Sequence, residues 1–160
     1  IVFGDPPLTQ QLIDAWEACG DTILTVKELP ANELQRYGII DPENTGKRMK
    51  VRFMVEKPES GTEPSSFATY GRYLYTPDIF DALRSSDTRH KHQGEFTQTE
   101  AINLMAAKGK VSALQFEGTR YDLGEPLGYL VSSIKVAMER SEFKKPLLEE
   151  MKKLLASHQI

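Results

Sequence analysis

Residues 51–58, VRFMVEKP, form a short apolar run that ends in an acid, a base and a proline. Valine or phenylalanine stands at every second position of 51–55, which is the period of a β-strand. Pro58 cannot donate to a strand ladder, so Glu56 and Lys57 lie where the strand stops. In an open α/β sheet, ligands bind in the crevice at the carboxyl ends of the strands, which makes these two charges candidate ligand groups. The alternative is a solvated strand end with a weak local ion pair.

The composition indicates a globular domain without an electrostatic signature for nucleic acid. The 160 residues are 39% hydrophobic, which is enough for one domain with its own core. The net charge of −3 comes from both signs mixed along the chain, which argues against a nucleic-acid or anionic-membrane partner. The single cysteine, Cys19, excludes an internal disulfide and is typical of a reducing compartment. No apolar run approaches the roughly 18 residues that span a bilayer, so we expect a cytoplasmic protein.

Helical and strand-like periods alternate along the chain, which indicates an α/β fold. Strand, helix and strand within the first 26 residues predict a βαβ unit with a parallel pair of strands. Gly71 interrupts an aromatic-rich strand, where it marks either a bulge or a close approach to the backbone. The predicted helices are 8–19, 77–85, 97–108, 126–140 and 143–157, and the predicted strands are 1–3, 22–26, 47–57, 67–75 and 111–116.

The last predicted helix, 143–157, is amphipathic. An amphipathic helix at this position is a candidate for docking on a partner subunit, and the alternative is that it covers its own core. We expect a homo-oligomer.

Several patches, taken in order, resemble the bacterial family of UTP:glucose-1-phosphate uridylyltransferases, also called UDP-glucose pyrophosphorylases. Together they extend over essentially the whole chain. The resemblance implies part of a Rossmann-like (GT-A-like) nucleotidyltransferase domain, in which a mixed sheet is flanked by helices and followed by C-terminal helices. The patches are FGD at 3–5, RYGIID at 36–41, VEKP at 55–58, GRY at 71–73, GEFTQTEAI at 94–102, RYDLG at 120–124 and LGY at 127–129.

The sequence departs from the family pattern in two places. The family's glycine-rich G-x-G-T-R nucleotide loop and the lysine after it have no counterpart here. The resemblance therefore implies that residues 1–160 are the sugar-phosphate-binding and C-terminal portion of a single nucleotidyltransferase domain, with the N-terminal nucleotide-binding part absent. Family members also carry a second aspartate and a short loop after the residue that matches Asp5, whereas Pro6 follows here, so we expect a few missing residues between Asp5 and Pro6.

The resemblance also implies roles for individual residues. Asp5 and Asp122 resemble the two aspartates that bind Mg²⁺ in the family. Carboxylate oxygens are the ligands that this hard ion prefers. Lys57 matches the lysine that holds the phosphate of the sugar phosphate. Glu56 matches the acid that accepts hydrogen bonds from hexose hydroxyls, and Gly38 matches a glycine whose backbone amide approaches the sugar. The expected catalytic residues are thus Asp5, Lys57 and Asp122, and the expected substrate-binding residues are Gly38, Glu56 and Lys57.

The implied reaction is an Mg²⁺-assisted in-line displacement. A phosphate oxygen of glucose 1-phosphate attacks the α-phosphorus of UTP, pyrophosphate leaves, and UDP-glucose is formed. We expect the chain alone to be inactive, because the nucleotide loop is missing. The alternatives are a thymidylyltransferase or another sugar-phosphate nucleotidyltransferase, and a non-catalytic module for sugar-nucleotide binding or oligomerisation.

Overall fold

The computed structural model describes residues 2–87, 98–121, 123–124 and 126–158. The chain divides into two compact units, one of Gly4–Glu117 and one that combines Ile1–Phe3 with Gly118–Ile160. In chain order the elements are β1 (Val2–Phe3), α1 (Leu8–Cys19), β2 (Thr22–Glu28), a 3₁₀ helix (Ala31–Arg36), β3 (Gly38–Pro42), β4 (Arg48–Glu56), β5 (Phe67–Leu74), α2 (Asp78–Asp87), α3 (Gln98–Ala106), β6 (Val111–Gln115), β7 (Thr119–Arg120), α4 (Pro126–Glu139) and α5 (Ser141–Ser157).

Five strands of the larger unit form a closed ring in the order β2, β5, β3, β4, β6 and back to β2. Strands β2 and β6 are parallel, whereas the other neighbours in the ring are antiparallel. Strands β3 and β5 meet at one residue pair, Ile39 with Ala68. Helix α1 contacts β2, and α3 contacts β4. The expected mixed sheet with flanking helices is therefore confirmed, and the sheet closes on itself.

The core of the larger unit lies on both faces of these strands. Successive residues of a strand point to opposite faces, and the neighbours Ile23 and Leu24 of β2 accordingly belong to different clusters. Ile23 packs with Leu12 and Ala15 of α1. Leu24 belongs to the larger cluster, whose members come from β2, β3, β4, β6, α2 and α3. Helices on two faces thus hold the ring of strands in place.

The predicted βαβ unit of residues 1–26 is not formed. Strand β1 pairs antiparallel with β7, where Val2 lies opposite Arg120, and it does not pair with β2. Both edges of β2 are already occupied, one by β5 and the other by β6. The sequence pattern correctly predicted a strand on each side of α1 but not the partners of these strands.

The glycine in β5 lies at a bulge, which is one of its two predicted roles. The β2–β5 register shifts between the pair Leu24–Tyr73 and the pair Val26–Thr69. Gly71, inside this shift, has a φ of 65°, which favours glycine.

The smaller unit contains the β1–β7 pair and the helices α4 and α5, which contact each other. No residue of α5 is buried. Phe143, Leu148, Leu154 and Leu155 of this helix are all exposed. In the described residues, α5 therefore does not cover an apolar core. None of the described helices is long and apolar enough to cross a membrane.

Candidate functional site

The candidate site lies where β4 ends beside the beginning of β3. The register of these strands places Glu56 opposite Gly38. The N–H of Lys57 then donates to the carbonyl of Tyr37 at 3.0 Å. The structure thus brings together three residues that the sequence predicted for substrate binding. They meet between antiparallel strands rather than at the carboxyl ends of parallel strands, because β4 is antiparallel to both of its neighbours.

Gly38 is enclosed by side chains of the neighbouring strands. A Cβ atom at this position would lie 3.0 Å from Glu56 Oε2, 3.0 Å from Thr69 Oγ1 and 3.1 Å from Met54 Sδ. These separations are shorter than an ordinary van der Waals contact, so an added Cβ atom would require the neighbouring side chains to move. Glycine therefore permits the Glu56 carboxylate and the Thr69 hydroxyl to approach the main chain of β3.

The side chains of Glu56 and Lys57 are exposed. In the part of the chain that the structure describes, neither charge has an ion-pair partner, whereas other charges on β4 do. Arg52 Nε, for example, lies 2.6 Å from Asp41 Oδ2. A carboxylate and an ammonium group are therefore both available to a ligand at the end of β4.

The backbone at Lys57 adopts an uncommon conformation. Its φ of 45° lies in the left-handed region, which a residue with a side chain occupies at a cost of about 1–3 kcal/mol. The hydrogen bond from its N–H to Tyr37 and the buried Pro58 that follows hold this conformation in place. Strain of this kind is concentrated at functional sites, where the surrounding structure imposes it.

Tyr73 of β5 is a polar neighbour of this site that the sequence did not identify. Burial raises the pKa of Tyr73, and the negative charge of Glu56 raises it further, whereas hydrogen bonds with Thr69 and Gly71 oppose the rise. The ring packs edge-on against Tyr75 with 5.7 Å between centroids. Tyr73 therefore stays neutral at physiological pH and supplies a hydroxyl beside Glu56 and Thr69. Its aromatic neighbours in the sequence indicated a strand and gave no signal for this role.

The two predicted metal ligands are placed differently. Asp5 is exposed. Asp122 lies outside the described residues. Within the described ranges, no group of three or more histidine, cysteine, aspartate or glutamate residues is arranged to hold a metal ion. The metal site of Asp5 and Asp122 stays a prediction.

Two cavities lie away from the end of β4. One of about 750 Å³ lies in the larger unit and is lined by residues that include Trp16 and Tyr75. The other, of about 320 Å³, lies in the smaller unit against α4. Neither is lined by Gly38, Glu56 or Lys57. At the end of β4 the side chains of Glu56 and Lys57 are exposed, whereas Gly38 beside them is buried.

Sequence comparison relates the chain to nucleotide-transferring enzymes. The family model described as nucleotidyl transferase matches residues 1–139. The UTP–glucose-1-phosphate uridylyltransferase of Staphylococcus epidermidis (strain RP62A) is 42% identical over 156 residues, and that of Staphylococcus haemolyticus is 40% identical over 156 residues. Each alignment covers 96% of this chain and 53% of the relative. The chain thus spans about half the length of the curated relatives it matches.

Solved structures agree with the sequence comparison. The crystal structure of apo UDP-glucose pyrophosphorylase has a TM-score of 0.78 and 32% identity, with 88% of this chain and 51% of that chain covered. UDP-glucose pyrophosphorylase complexed with UDP-glucose has a TM-score of 0.76 and 30% identity, with 88% of this chain and 53% of that chain covered. These likenesses confirm both the nucleotidyltransferase fold and the resemblance expected from the sequence. Because the family model matches most of its residues, this chain belongs to the nucleotidyl transferase family.

Proposed function

We propose that this chain is the sugar-phosphate-binding portion of an enzyme that forms UDP-glucose and pyrophosphate from UTP and glucose 1-phosphate. The observation that carries the proposal is the adjacency of Gly38, Glu56 and Lys57, with both charges exposed at one strand end. The chain is 40–42% identical to proteins named UTP–glucose-1-phosphate uridylyltransferase. A structural relative complexed with UDP-glucose supports a sugar nucleotide as the ligand.

The proposed roles follow from the chemistry of the three side chains. Lys57 is a compact positive charge that binds the phosphate of glucose 1-phosphate. Glu56 accepts hydrogen bonds from hexose hydroxyls, and bonds to an ionised carboxylate are about twice as strong as neutral ones. The backbone amide of Gly38 is the proposed third contact to the sugar, at a position where glycine leaves room for the Glu56 carboxylate. Together these contacts fix the position of the phosphate oxygen that attacks the α-phosphorus of UTP, and positioning of this kind lowers the barrier without a covalent enzyme intermediate.

Nucleotidyl transferases generally use a divalent metal, and we propose that this protein uses Mg²⁺. Asp5 and Asp122 are the proposed ligands. The exposed carboxylate of Asp5 has the oxygen donors that this ion prefers. When bound, the ion supplies positive charge against the phosphates of the nucleotide.

We also propose a cytoplasmic homo-oligomer. The exposed apolar side chains of α5 support an additional protein contact. The size of the complete protein and its oligomeric state are measured by light scattering on material expressed from the complete reading frame.

The activity is tested on protein expressed from the complete reading frame, supplied with UTP, glucose 1-phosphate and Mg²⁺. We expect release of pyrophosphate and formation of UDP-glucose, and no turnover by residues 1–160 alone. Parallel reactions with dTTP test the thymidylyltransferase alternative. An intact protein that is active with dTTP and inert with UTP would contradict the proposed substrate, and turnover by the isolated chain would contradict the dependence on an N-terminal part.

The assignment of Glu56 is tested with Glu56→Gln in the same intact protein. The neutral amide keeps the size of the side chain and loses the charge-assisted bonds, so we expect the KM for glucose 1-phosphate to rise about tenfold. Glu59→Gln is the matched control, since Glu59 is another exposed carboxylate three residues further along the chain. Equal effects of the two changes would show that the charge at residue 56 has no specific role.

A further inference from the structure

Asn103 of α3 binds both backbone polar groups of Met54 in β4. The N–H of Met54 donates to Asn103 Oδ1 at 2.7 Å, and Asn103 Nδ2 donates to the carbonyl of Met54 at 2.9 Å. In a strand, the N–H and C=O of one residue point to the same edge. A side-chain amide, with one acceptor and a donor, therefore takes the place of a neighbouring strand at this residue.

This contact occurs on a part of β4 that β6 does not cover. Strand β6 pairs with β4 only at Arg48, Met49 and Lys50. Strand β3 lies along the opposite edge of β4 and pairs with it from Pro42 back to Gly38. Beyond Lys50, the edge of β4 that faced β6 is contacted at Met54 by the Asn103 amide. This contact holds the part of the strand that leads to the candidate site.

Asn103 is itself held by a well-buried helix. Ala101 and Ile102 have no exposed surface, and Met105 is 2% exposed. All three belong to the main core cluster, as does Met54. A side chain carried by such a helix has little freedom to follow a displaced strand, so its hydrogen bonds determine where the strand lies.

Met54 connects this contact to the candidate site. Its Sδ atom is 3.1 Å from the position that a Cβ atom of Gly38 would occupy, and Glu56 Oε2 is 3.0 Å from the same position. Met54 Sδ and the Glu56 carboxylate therefore border the same small space beside Gly38, so a shift of Met54 changes that space. Glu56 and Lys57 lie two and three residues after Met54, so the same shift moves both charges.

We infer that Asn103 is a positioning residue, whose amide fixes the end of β4 so that Glu56 and Lys57 meet the sugar phosphate in the right place. The inference rests on the proposed function for its kinetic consequence. Its structural consequence, a displaced strand end when the amide is lost, does not depend on that function.

The kinetic test compares Asn103→Ala with Leu12→Ala in protein expressed from the complete reading frame. Leu12 is buried in the separate cluster beneath α1, so its truncation lowers stability without touching β4. For Asn103→Ala we expect the KM for glucose 1-phosphate to rise about tenfold while the KM for UTP changes less than about twofold. For Leu12→Ala, assayed well below its unfolding temperature, we expect both KM values to stay within about twofold of the unaltered protein.

A second variant changes one of the two hydrogen bonds. Asn103→Asp keeps an acceptor for the N–H of Met54 but places a carboxylate oxygen, which cannot donate, beside the Met54 carbonyl oxygen. Because these two oxygens repel each other, we expect the KM for glucose 1-phosphate to rise at least as much as in Asn103→Ala. Equal changes in the two KM values for Asn103→Ala would overturn the inference, because the amide would then not act selectively on the sugar-phosphate side of the site.

A second readout measures the strand end directly, by amide hydrogen exchange of Met54 and Lys57 in the same variants. The Lys57 N–H bonds to Tyr37 and not to Asn103. Faster exchange at Lys57 in Asn103→Ala, but not in Leu12→Ala, is therefore expected only if the strand end moves. Unchanged protection of Lys57 overturns the inference. An unaltered protein that lacks turnover contradicts the proposed function instead, and the exchange measurement still decides the role of Asn103.

Discussion

The two halves of β4 use their charges in different ways. Near its beginning, Lys50 Nζ lies 2.5 Å from Asp21 Oδ2, and the Ser112 hydroxyl donates to the same carboxylate oxygen at 2.6 Å. At its end, Glu56 and Lys57 are exposed, and neither has an ion-pair partner within the described residues. The comparison indicates that a charge with a built-in protein partner holds the ring together, whereas a charge without one is available to a ligand.

The Asp21 contacts have the electrostatics of a structural ion pair. Burial would raise the pKa of the Asp21 carboxyl, but hydrogen bonds from Lys50 and Ser112 and the positive charge of Lys50 together lower it below its ordinary value. Asp21 is therefore ionised at physiological pH. It lies directly before β2 and connects the start of that strand to Lys50 of β4 and Ser112 of β6, two strands that are neighbours in the ring.

The largest effect is expected at the exposed end of β4. In protein expressed from the complete reading frame, Lys57→Ala removes the charge that we propose binds phosphate, and we expect kcat/KM for glucose 1-phosphate to fall about 100-fold or more. The free energy of unfolding should change by less than about 0.5 kcal/mol, because the side chain is exposed. Steady-state kinetics and urea unfolding measure the two quantities. Lys108→Ala, another exposed lysine, is the control, and an equal loss of activity in both variants would remove the distinction between the halves of β4.

A smaller effect is expected from a pair of glycines. Gly38→Ala introduces a methyl group 3.0–3.1 Å from three side-chain atoms, so we expect a loss of about 1–3 kcal/mol in stability together with weaker sugar-phosphate binding. Gly109, whose carbonyl accepts a hydrogen bond from Lys50, has a φ of 67° and open space where a Cβ atom would lie.

The matched change is Gly109→Ala, at a residue before β6 whose carbonyl contacts Lys50 in the first half of β4. It should cost about 1–2 kcal/mol from backbone strain alone and leave the KM for glucose 1-phosphate unchanged. Calorimetry measures the stability of Gly38→Ala and Gly109→Ala, and steady-state kinetics measure their KM for glucose 1-phosphate. If Gly109→Ala impaired sugar-phosphate binding as strongly as Gly38→Ala, the site would extend to the structural half of the strand.

Lys50→Ala should affect stability and leave activity intact. It leaves the Asp21 carboxylate, 10% exposed, with the Ser112 hydroxyl and the Cys19 thiol as side-chain hydrogen-bond partners. Because Lys50 is itself 42% exposed, we expect a loss of about 1–2 kcal/mol rather than the larger cost of a fully buried pair. Urea unfolding near neutral pH measures it.

The pH dependence of the stability of Lys50→Ala shows whether loss of the ion pair with Asp21 causes the destabilisation. The pKa of Asp21 is lowered in the folded protein from the ordinary value of 3.8, so its contribution to stability is present above that value and is lost as the pH falls through the folded-state pKa. The difference between Lys50→Ala and the unaltered protein should therefore shrink below about pH 4. A difference that stays constant from neutral to acid pH would assign the loss to packing of the lysine stem instead.

The smallest effect is expected at Arg52, between the two halves. Its side chain is 53% exposed and pairs with Asp41 in two hydrogen bonds of 2.6 and 2.7 Å. Arg52→Ala should cost less than about 1 kcal/mol, and added salt should reduce the difference, since exposed ion pairs are screened. A larger and salt-independent loss would place Arg52 with Lys50 among the residues that hold the ring.

Local patterns predicted the elements better than their arrangement. The strand predicted at 47–57 is observed as Arg48–Glu56, and the helix predicted at 8–19 is α1. Both depend on periods of a few residues, which the sequence displays directly. The closed ring depends on pairing of Thr22 with Val111 across about half of the chain, and no local period reports such a contact.

The inward face of α1 shows why polar residues are hard to place from sequence. The aromatic Trp16 is 40% exposed, whereas the polar Gln11 is 6% exposed. The Gln11 amide is fully engaged, since it donates to the carbonyls of Pro6 and Glu117 and accepts from the Glu117 N–H at 2.8–2.9 Å. A buried amide requires such partners, and one of them lies more than one hundred residues away along the chain.

The candidate site was predictable in part. Gly38, Glu56 and Lys57 were indicated by the resemblance of short patches, and the strand register brings them together. Asn103 and Tyr73 were not indicated, because their contribution depends on contacts between elements far apart in sequence. Asp122 lies outside the described residues, so its predicted role as a metal ligand remains a prediction.

The single parallel pairing of the ring also has a consequence for folding. Strand β6 is the last strand of the ring to leave the ribosome, and until it does, one edge of β2 and the first residues of β4 have no partner. Contacts between residues so far apart close slowly, and open strand edges invite pairing with other chains. A nascent chain that stops short of Val111 should therefore aggregate, and chaperones are expected to matter most during synthesis of the stretch between β5 and β6.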